Sequence, residues 1–149
     1  MKLFITFSKK SLAAILLSLI AALVVLSRVT ALSGGGINGS TNAERVDYMN
    51  SLGCNVEETA ISSKETVIPQ SFGKVYERYN SLQKKAGFDL EPFRGKEATV
   101  YSYRFEDSPE RVVNLIVVNG GIVGGDISST AIDGFMLPLL SESVKKIET

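Results

Sequence analysis

The polar residues best placed to do chemistry follow an apolar stretch near the C-terminus. Asp126 is followed by Ser128 and Ser129, and Asp133 comes shortly after. Two carboxylates in one cleft can act as general acid and general base, and a hydroxyl can act as a nucleophile beside a base. The pattern is therefore compatible with a small hydrolase or transferase. Asp and Ser are also common in turns and caps, which explains the same residues without catalysis.

The composition removes much of the equipment that catalysis needs. The 149-residue chain has no His and a single Cys, Cys54, so it lacks the commonest general base and metal ligand and can form no internal disulfide. We predict no catalytic residue, no cofactor and no metal site, and therefore a protein that is not an enzyme. Cys54 is expected to be buried as a small apolar residue.

A second candidate set is aromatic. Tyr101 and Tyr103 lie two residues apart and so share one face of a strand, where they could line a ligand groove or pack in the core. The spacing is compatible with both. The candidate ligand-binding residues are Tyr101, Tyr103, Asp126, Ser128, Ser129 and Asp133.

Charge is distributed unevenly along the chain. The formal net charge is zero, but the first 33 residues carry Lys2, Lys9, Lys10 and Arg28 and no acid, and the remainder carries 12 basic and 16 acidic residues. Nucleic acid calls for a basic surface, so the acidic remainder predicts no nucleic-acid partner.

The N-terminus has the features of a membrane segment. Residues 11–27 are an uncharged, mostly apolar run with Lys9 and Lys10 before it and Arg28 after it. This pattern predicts one transmembrane helix in the cell membrane, with the N-terminus in the cytoplasm and the rest outside. The alternative is a signal peptide cleaved near Ala31, which would release a secreted protein.

The predicted organisation has four parts. Residues 1–32 are the anchor or signal, residues 33–40 a Gly/Ser-rich tether, residues 41–140 an extracytoplasmic domain, and residues 141–149 a loose tail. The tether prediction rests on composition, since this stretch has no hydrophobic periodicity.

Two amphipathic helices are predicted in the domain. Thr41 and Glu44 have the spacing of a capping box, and the helix that they begin is expected to end at Gly53. Apolar residues at helical spacing predict a longer helix over residues 72–86. The stretch 130–140 is interpreted as a turn and a short helix broken at Pro138.

Strand signals dominate the second half. Alternation predicts a strand over residues 97–106, and nearly continuous apolar runs predict strands over residues 112–118 and 121–129, with another at 65–68. A turn is expected at residues 108–110. Asn119-Gly120 predicts a tight hairpin, and Gly124-Gly125 a bulge or close backbone approach. The predicted class is α+β: an antiparallel sheet of three to four strands with two to three helices on one face, preceded by one transmembrane helix.

A set of short motifs resembles a known family. The resemblance covers residues 38–136 and is carried by Gly39-Ser40-Thr41-Asn42, Glu44-Arg45, Ser51-Leu52-Gly53, Ile68-Pro69, Val75-Tyr76, Tyr79-Asn80, Leu82-Gln83-Lys84, Gly87-Phe88-Asp89-Leu90, Tyr101-Ser102-Tyr103, Gly124-Gly125-Asp126-Ile127 and Asp133-Gly134-Phe135-Met136. The chain is similar to small uncharacterised proteins of Clostridium-like bacteria, grouped as domain of unknown function 4830. The resemblance implies an N-terminal membrane segment, one exported domain and no assigned activity.

These observations favour a membrane-anchored extracytoplasmic module that binds an envelope protein, a peptide or another envelope component without catalysis. One alternative is an envelope hydrolase or transferase that uses Asp126 and Asp133 as acid and base. Another is an inhibitor or sensor domain for a neighbouring membrane protein.

Overall fold

The computed structural model describes residues 36–148. The predicted membrane segment, the signal-cleavage site and the first three residues of the predicted tether lie outside the described residues. No helix within the described part is long and apolar enough to cross a bilayer.

The described chain contains three α-helices and six strands. In chain order they are β1 (Ile37–Asn38), α1 (Asn42–Ser51), β2 (Ser62–Val67), α2 (Lys74–Lys85), a 3₁₀ turn (Glu91–Phe93), β3 (Glu97–Phe105), β4 (Ser108–Val118), β5 (Gly121–Ser129), β6 (Met136–Pro138) and α3 (Ser141–Glu148). The α+β class is confirmed, but the sheet has more strands than predicted.

All six strands form one antiparallel sheet. The order is β1-β5-β4-β3-β2. Strand β6 also pairs with β5: β1 pairs with the first residues of β5, and β6 pairs with its last residues. Strand β4 is therefore central, and its apolar residues are buried on both faces of the sheet. Strand β2 is an outer strand, and all six of its residues are exposed.

Helices cover both faces of the sheet, so the prediction of helices on one face is wrong. Met49 of α1 and Val144 of α3 pack in one core cluster with Tyr103, whereas Tyr76 and Tyr79 of α2 pack against the other cluster. We call these two sides the α1 face and the α2 face. Helical periodicity shows which side of a helix is apolar, but it does not show which face of the sheet that side will cover.

The local signals at the start of α1 and at the β4–β5 turn are confirmed. The Thr41 hydroxyl accepts from the Glu44 amide, and the Glu44 side chain accepts from the Thr41 amide, which completes the capping box. Asn119 and Gly120 have φ values of 49° and 79°, as a type I′ turn requires.

The paired glycines of β5 allow close approach on both faces. A Cβ at Gly124 would lie 2.9 Å from the Gln83 side-chain oxygen on the α2 face, and a Cβ at Gly125 would lie 2.8 Å from a side-chain carbon of Leu139 on the α1 face. The sheet register also shifts between Ile116 and Val117 on the neighbouring strand. The expected bulge and close approach are thus both present.

Four local predictions are wrong. The expected tether contributes Ile37–Asn38 to the sheet, and the expected turn at 108–110 belongs to β4, the turn lying instead at Glu106 and Asp107. The expected helix within 130–140 is replaced by a loop and β6, and the expected loose tail forms α3. Pairing with β5 stabilises the two short strands, and burial of Val144 holds α3, so tertiary contacts override weak local signals here.

Candidate binding groove

The structure separates the predicted site residues onto different parts of the molecule. Tyr101 and Tyr103 lie on the α1 face, with α1, whereas Asp126 and Ser128 lie on the α2 face. Asp133 lies in the exposed loop between β5 and β6. Ser129 ends β5, where its hydroxyl accepts a hydrogen bond from the Ala131 amide, as in an ordinary turn.

Asp126 is the centre of a hydrogen-bonded network on the α2 face. Its side chain is 2 % exposed, and it accepts hydrogen bonds from the Tyr79 hydroxyl at 2.8 Å, the Asn114 amide at 2.9 Å and the Ser128 hydroxyl. The Asn114 side-chain oxygen in turn accepts from Ser102 at 2.7 Å. Three neutral donors satisfy the carboxylate and tie α2 to β3, β4 and β5, so this arrangement is well suited to stabilising the fold.

Asp126 and Asp133 have contrasting environments. Asp126 is buried and fully engaged by its donors, whereas Asp133 is exposed to solvent. An acid and base pair must share one cleft with a substrate. The burial of Asp126 beneath α2 gives such a pair little access to a substrate.

Burial and the Asp126 carboxylate raise the pKa of the Tyr79 phenol above its ordinary value of 10.0. Below pH 10 the phenol is protonated in both the folded and the unfolded state, so its stabilising contribution is complete. Above pH 10 the unfolded chain loses this proton first, so we expect the free energy of unfolding to fall as pH rises. Urea denaturation from neutral pH to about pH 11 measures this slope.

The matched variant for that titration is Tyr79→Phe. It is expected to be less stable at neutral pH and to show a shallower loss of stability above pH 10. A residual slope is expected because burial also raises the pKa of Tyr48 to about 12. An unchanged alkaline slope in Tyr79→Phe would show that Tyr79 is not held in its protonated form by the fold.

A groove opens on the α1 face beside β2. Its volume is about 590 Å³, and we call it the edge groove. Its floor is formed by β2, β3 and β4, and its wall by the segment before α1 and the β4–β5 turn. The lining residues are Gly39, Ser40, Glu65, Thr66, Val67, Glu97, Ala98, Thr99, Tyr101, Val117, Asn119 and Gly120.

Arg45 holds the wall of the edge groove to its floor. The guanidinium donates to the carbonyl oxygens of Gly39 at 2.7 Å and Ser40 at 3.3 Å, and to the Tyr103 hydroxyl at 2.8 Å. It also lies 3.7 Å from the centre of the Tyr101 ring, a cation–π contact. The side chain is 6 % exposed, and no carboxylate within the described residues forms an ion pair with it.

The two predicted tyrosines therefore have different roles. Tyr103 is fully buried, and its hydroxyl donates to the Asn42 side chain at 2.9 Å, so it belongs to the core. Tyr101 is partly exposed and lines the edge groove. The sequence left groove lining and core packing open for both tyrosines, and it assigned no role to Arg45, because one Arg in an amphipathic helix is usually solvated.

The charges of the edge groove have one sign. Glu65 and Glu97 are the charged residues that line it, and both are exposed. Glu65 pairs with Thr99 and Val67 pairs with Glu97, so the two glutamates are diagonal neighbours on the same face of the sheet. The groove therefore offers two carboxylates beside the exposed side chain of Val67.

No group of three or more Cys, Asp or Glu side chains in the described part of the chain approaches closely enough to hold an ion. Cys54 is buried, as predicted.

The fold and the groove define a small α+β domain with an open surface beside an edge strand. The chain belongs to the family described as domain of unknown function (DUF4830), whose family model matches residues 48–127, and the expected family membership is thereby confirmed. The matched range contains β2, β3 and β4, the floor of the groove, whereas Arg45 and the wall at Gly39 and Ser40 precede it. No curated protein and no solved structure matches the chain.

Proposed function

We propose that this chain is a non-catalytic, extracytoplasmic binding module that receives another protein, a peptide or an envelope component in the edge groove. The observation that carries the proposal is a groove of about 590 Å³ that lies directly beside a fully exposed edge strand. Ligand sites are typically concave surfaces of a few hundred cubic ångströms or more, with a few polar groups that fix orientation. Glu65, Glu97 and Asn119 supply such groups here.

In this proposal residues 11–27 hold the module at the cell membrane, with the described domain outside. The support is the uncharged run and the basic residues that precede it. The test is N-terminal sequencing and fractionation of the full-length chain expressed in a Gram-positive host. Intact Met1 in the membrane fraction is expected, whereas a new terminus near Ala31 in the medium would mean a secreted protein.

The binding proposal is tested by photo-crosslinking in intact cells. A crosslinking amino acid is placed at Val67, which lines the groove and is 57 % exposed, or at Val75, which lies on α2 and is 84 % exposed. Because both sites are exposed valines, Val75 is a matched control. We expect a discrete adduct from Val67 and none of that mass from Val75. Equal labelling of both sites, or of neither, would contradict binding in the groove.

The two alternative functions predict different results. A hydrolase or transferase would turn over substrate as a purified protein and lose activity in Asp126→Ala or Ser128→Ala, in which case binding would not be the main function. An inhibitor or sensor would use the same groove, and the adduct from Val67 would then be a neighbouring membrane protein.

A further inference from the structure

We propose that the occupant of the edge groove is an extended segment of a partner protein, which pairs with β2 as an additional strand and places a Lys or Arg side chain against Glu65 and Glu97. This inference rests on the proposed binding function and specifies the partner by its chemistry. Three features carry it: the open edge of β2, the charge of the groove, and the charge pattern along β2 itself.

Strand β2 has an unused hydrogen-bonding edge. It pairs with β3 on one side, and no other described strand pairs with it. In a strand, alternate residues direct their N–H and C=O groups to opposite sides, so half of these groups in Ser62–Val67 face away from β3. Such an edge is a template for an extended peptide. Ile61 and Val67, 44 % and 57 % exposed, offer apolar contacts at its two ends.

Charge complementarity selects the side chain that such a strand would present. An added residue opposite Val67 would lie on the same face as Glu97, two strand spacings or about 10 Å away. The side chains of a Lys or Arg on the added strand and of Glu97 on β3 are long enough to meet above Val67, which lies between them. Glu65 lies on the same face and is adjacent to the added strand. A basic residue therefore meets two carboxylates, and charge-assisted contacts of this kind are stronger than neutral ones.

A second copy of this chain fits the same edge poorly. Two copies related by a two-fold axis would pair β2 with β2 in antiparallel fashion, and paired residues must share a face of the sheet. The two registers with the largest overlap then place Lys64 opposite Lys64 or Glu65 opposite Glu65. Like charges directly opposite each other destabilise a strand pair. The sequence of β2 thus disfavours self-pairing while leaving the edge open to a different strand.

The test uses the full-length protein in detergent micelles and a fluorescent octapeptide that alternates valine and lysine. Fluorescence anisotropy measures the dissociation constant for the wild type, for the double variant Glu65→Gln/Glu97→Gln, and for Glu77→Gln, an exposed glutamate of α2. We expect saturable binding, at least tenfold weaker binding to the double variant, and no change in Glu77→Gln. All three sites are exposed, so folding should be retained, which circular dichroism checks.

Two control peptides separate strand pairing from charge alone. A peptide with a central proline should lose binding because it cannot continue the ladder, and a peptide that alternates valine and glutamate should not bind. Equal binding of the lysine peptide to wild type and double variant, or binding of the glutamate peptide, would overturn the proposal. So would dimers in sedimentation equilibrium that the double variant abolishes. If no peptide binds but Val67 still yields its adduct in cells, this inference fails and the binding function stands.

Discussion

Replacement of Asp126 by alanine is expected to lower the free energy of unfolding by about 3 kcal/mol, because it leaves three donors without their acceptor in a buried space. The donors are Tyr79, Asn114 and Ser128, which come from one helix and two strands. The loss should be seen in urea denaturation as a lower midpoint with a similar slope. Asp126→Asn, which keeps one acceptor oxygen, should be intermediate.

Asp133→Ala is the matched control for this substitution. Asp133 is an exposed aspartate only a few residues along the chain, and its replacement should change stability by less than about 0.5 kcal/mol. If the Asp126 variant were as stable as the Asp133 variant, the network would not support the fold. That result would favour a catalytic or ligand-binding role for Asp126.

Replacement of Arg45 by methionine is expected to cost about 3 kcal/mol of stability and also to weaken binding in the edge groove. Methionine keeps much of the apolar stem, but the carbonyl oxygens of Gly39 and Ser40 and the Tyr103 hydroxyl lose their donor. The wall of the groove is then no longer held to its floor. Urea denaturation and peptide anisotropy measure the two effects on the same protein.

Two further substitutions sharpen the test of Arg45. Arg78→Met removes an exposed Arg from α2 and should change neither stability nor peptide binding appreciably. Arg45→Lys retains the charge but lacks the planar guanidinium that reaches several oxygens at once, so it should rescue only part of the loss. Full peptide affinity in a folded Arg45→Met protein would contradict the positioning of the groove wall by Arg45.

The parts of the fold that could be predicted from sequence are those set by local physics. The hydroxyl of Thr41 and the carboxylate of Glu44 accept hydrogen bonds from the free amides at the start of α1. A Thr followed three residues later by a Glu is typical of such a capping box. Asn119-Gly120 tolerates positive φ at both turn positions. The periodicity of α2 and the alternation in β3 likewise follow from which side of each element is buried.

The parts that could not be predicted depend on contacts distant in sequence. Strand β1 lies in a glycine-rich stretch and exists because Ile37 and Asn38 pair with β5. Helix α3 has few apolar residues and is held by burial of Val144 in a core formed mainly by other elements. The local sequence therefore gives only weak signals for β1 and α3. Which face of the sheet each helix covers is likewise determined by the packing of the whole domain.

The candidate site was predictable only in part for the same reason. Tyr101 was identified because alternation places it on one face of β3, yet how far that face is covered depends on the packing of α1, whose Arg45 lies over the Tyr101 ring. Asp126 was identified by its residue type, but its burial under Tyr79 depends on the docking of α2. The carboxylates of Glu65 and Glu97 were not singled out, since their proximity arises from the register of β2 against β3.

The most direct measurement is a titration of the full-length, ¹⁵N-labelled protein with the valine-lysine octapeptide, followed by amide chemical shifts. Binding at β2 and the edge groove predicts the largest shift changes at Glu65 and Val67, whose backbone N–H groups face away from β3, and at Gly120 in the groove wall. Changes concentrated instead around Ser128 and Met136, on the opposite side of the sheet, would contradict it.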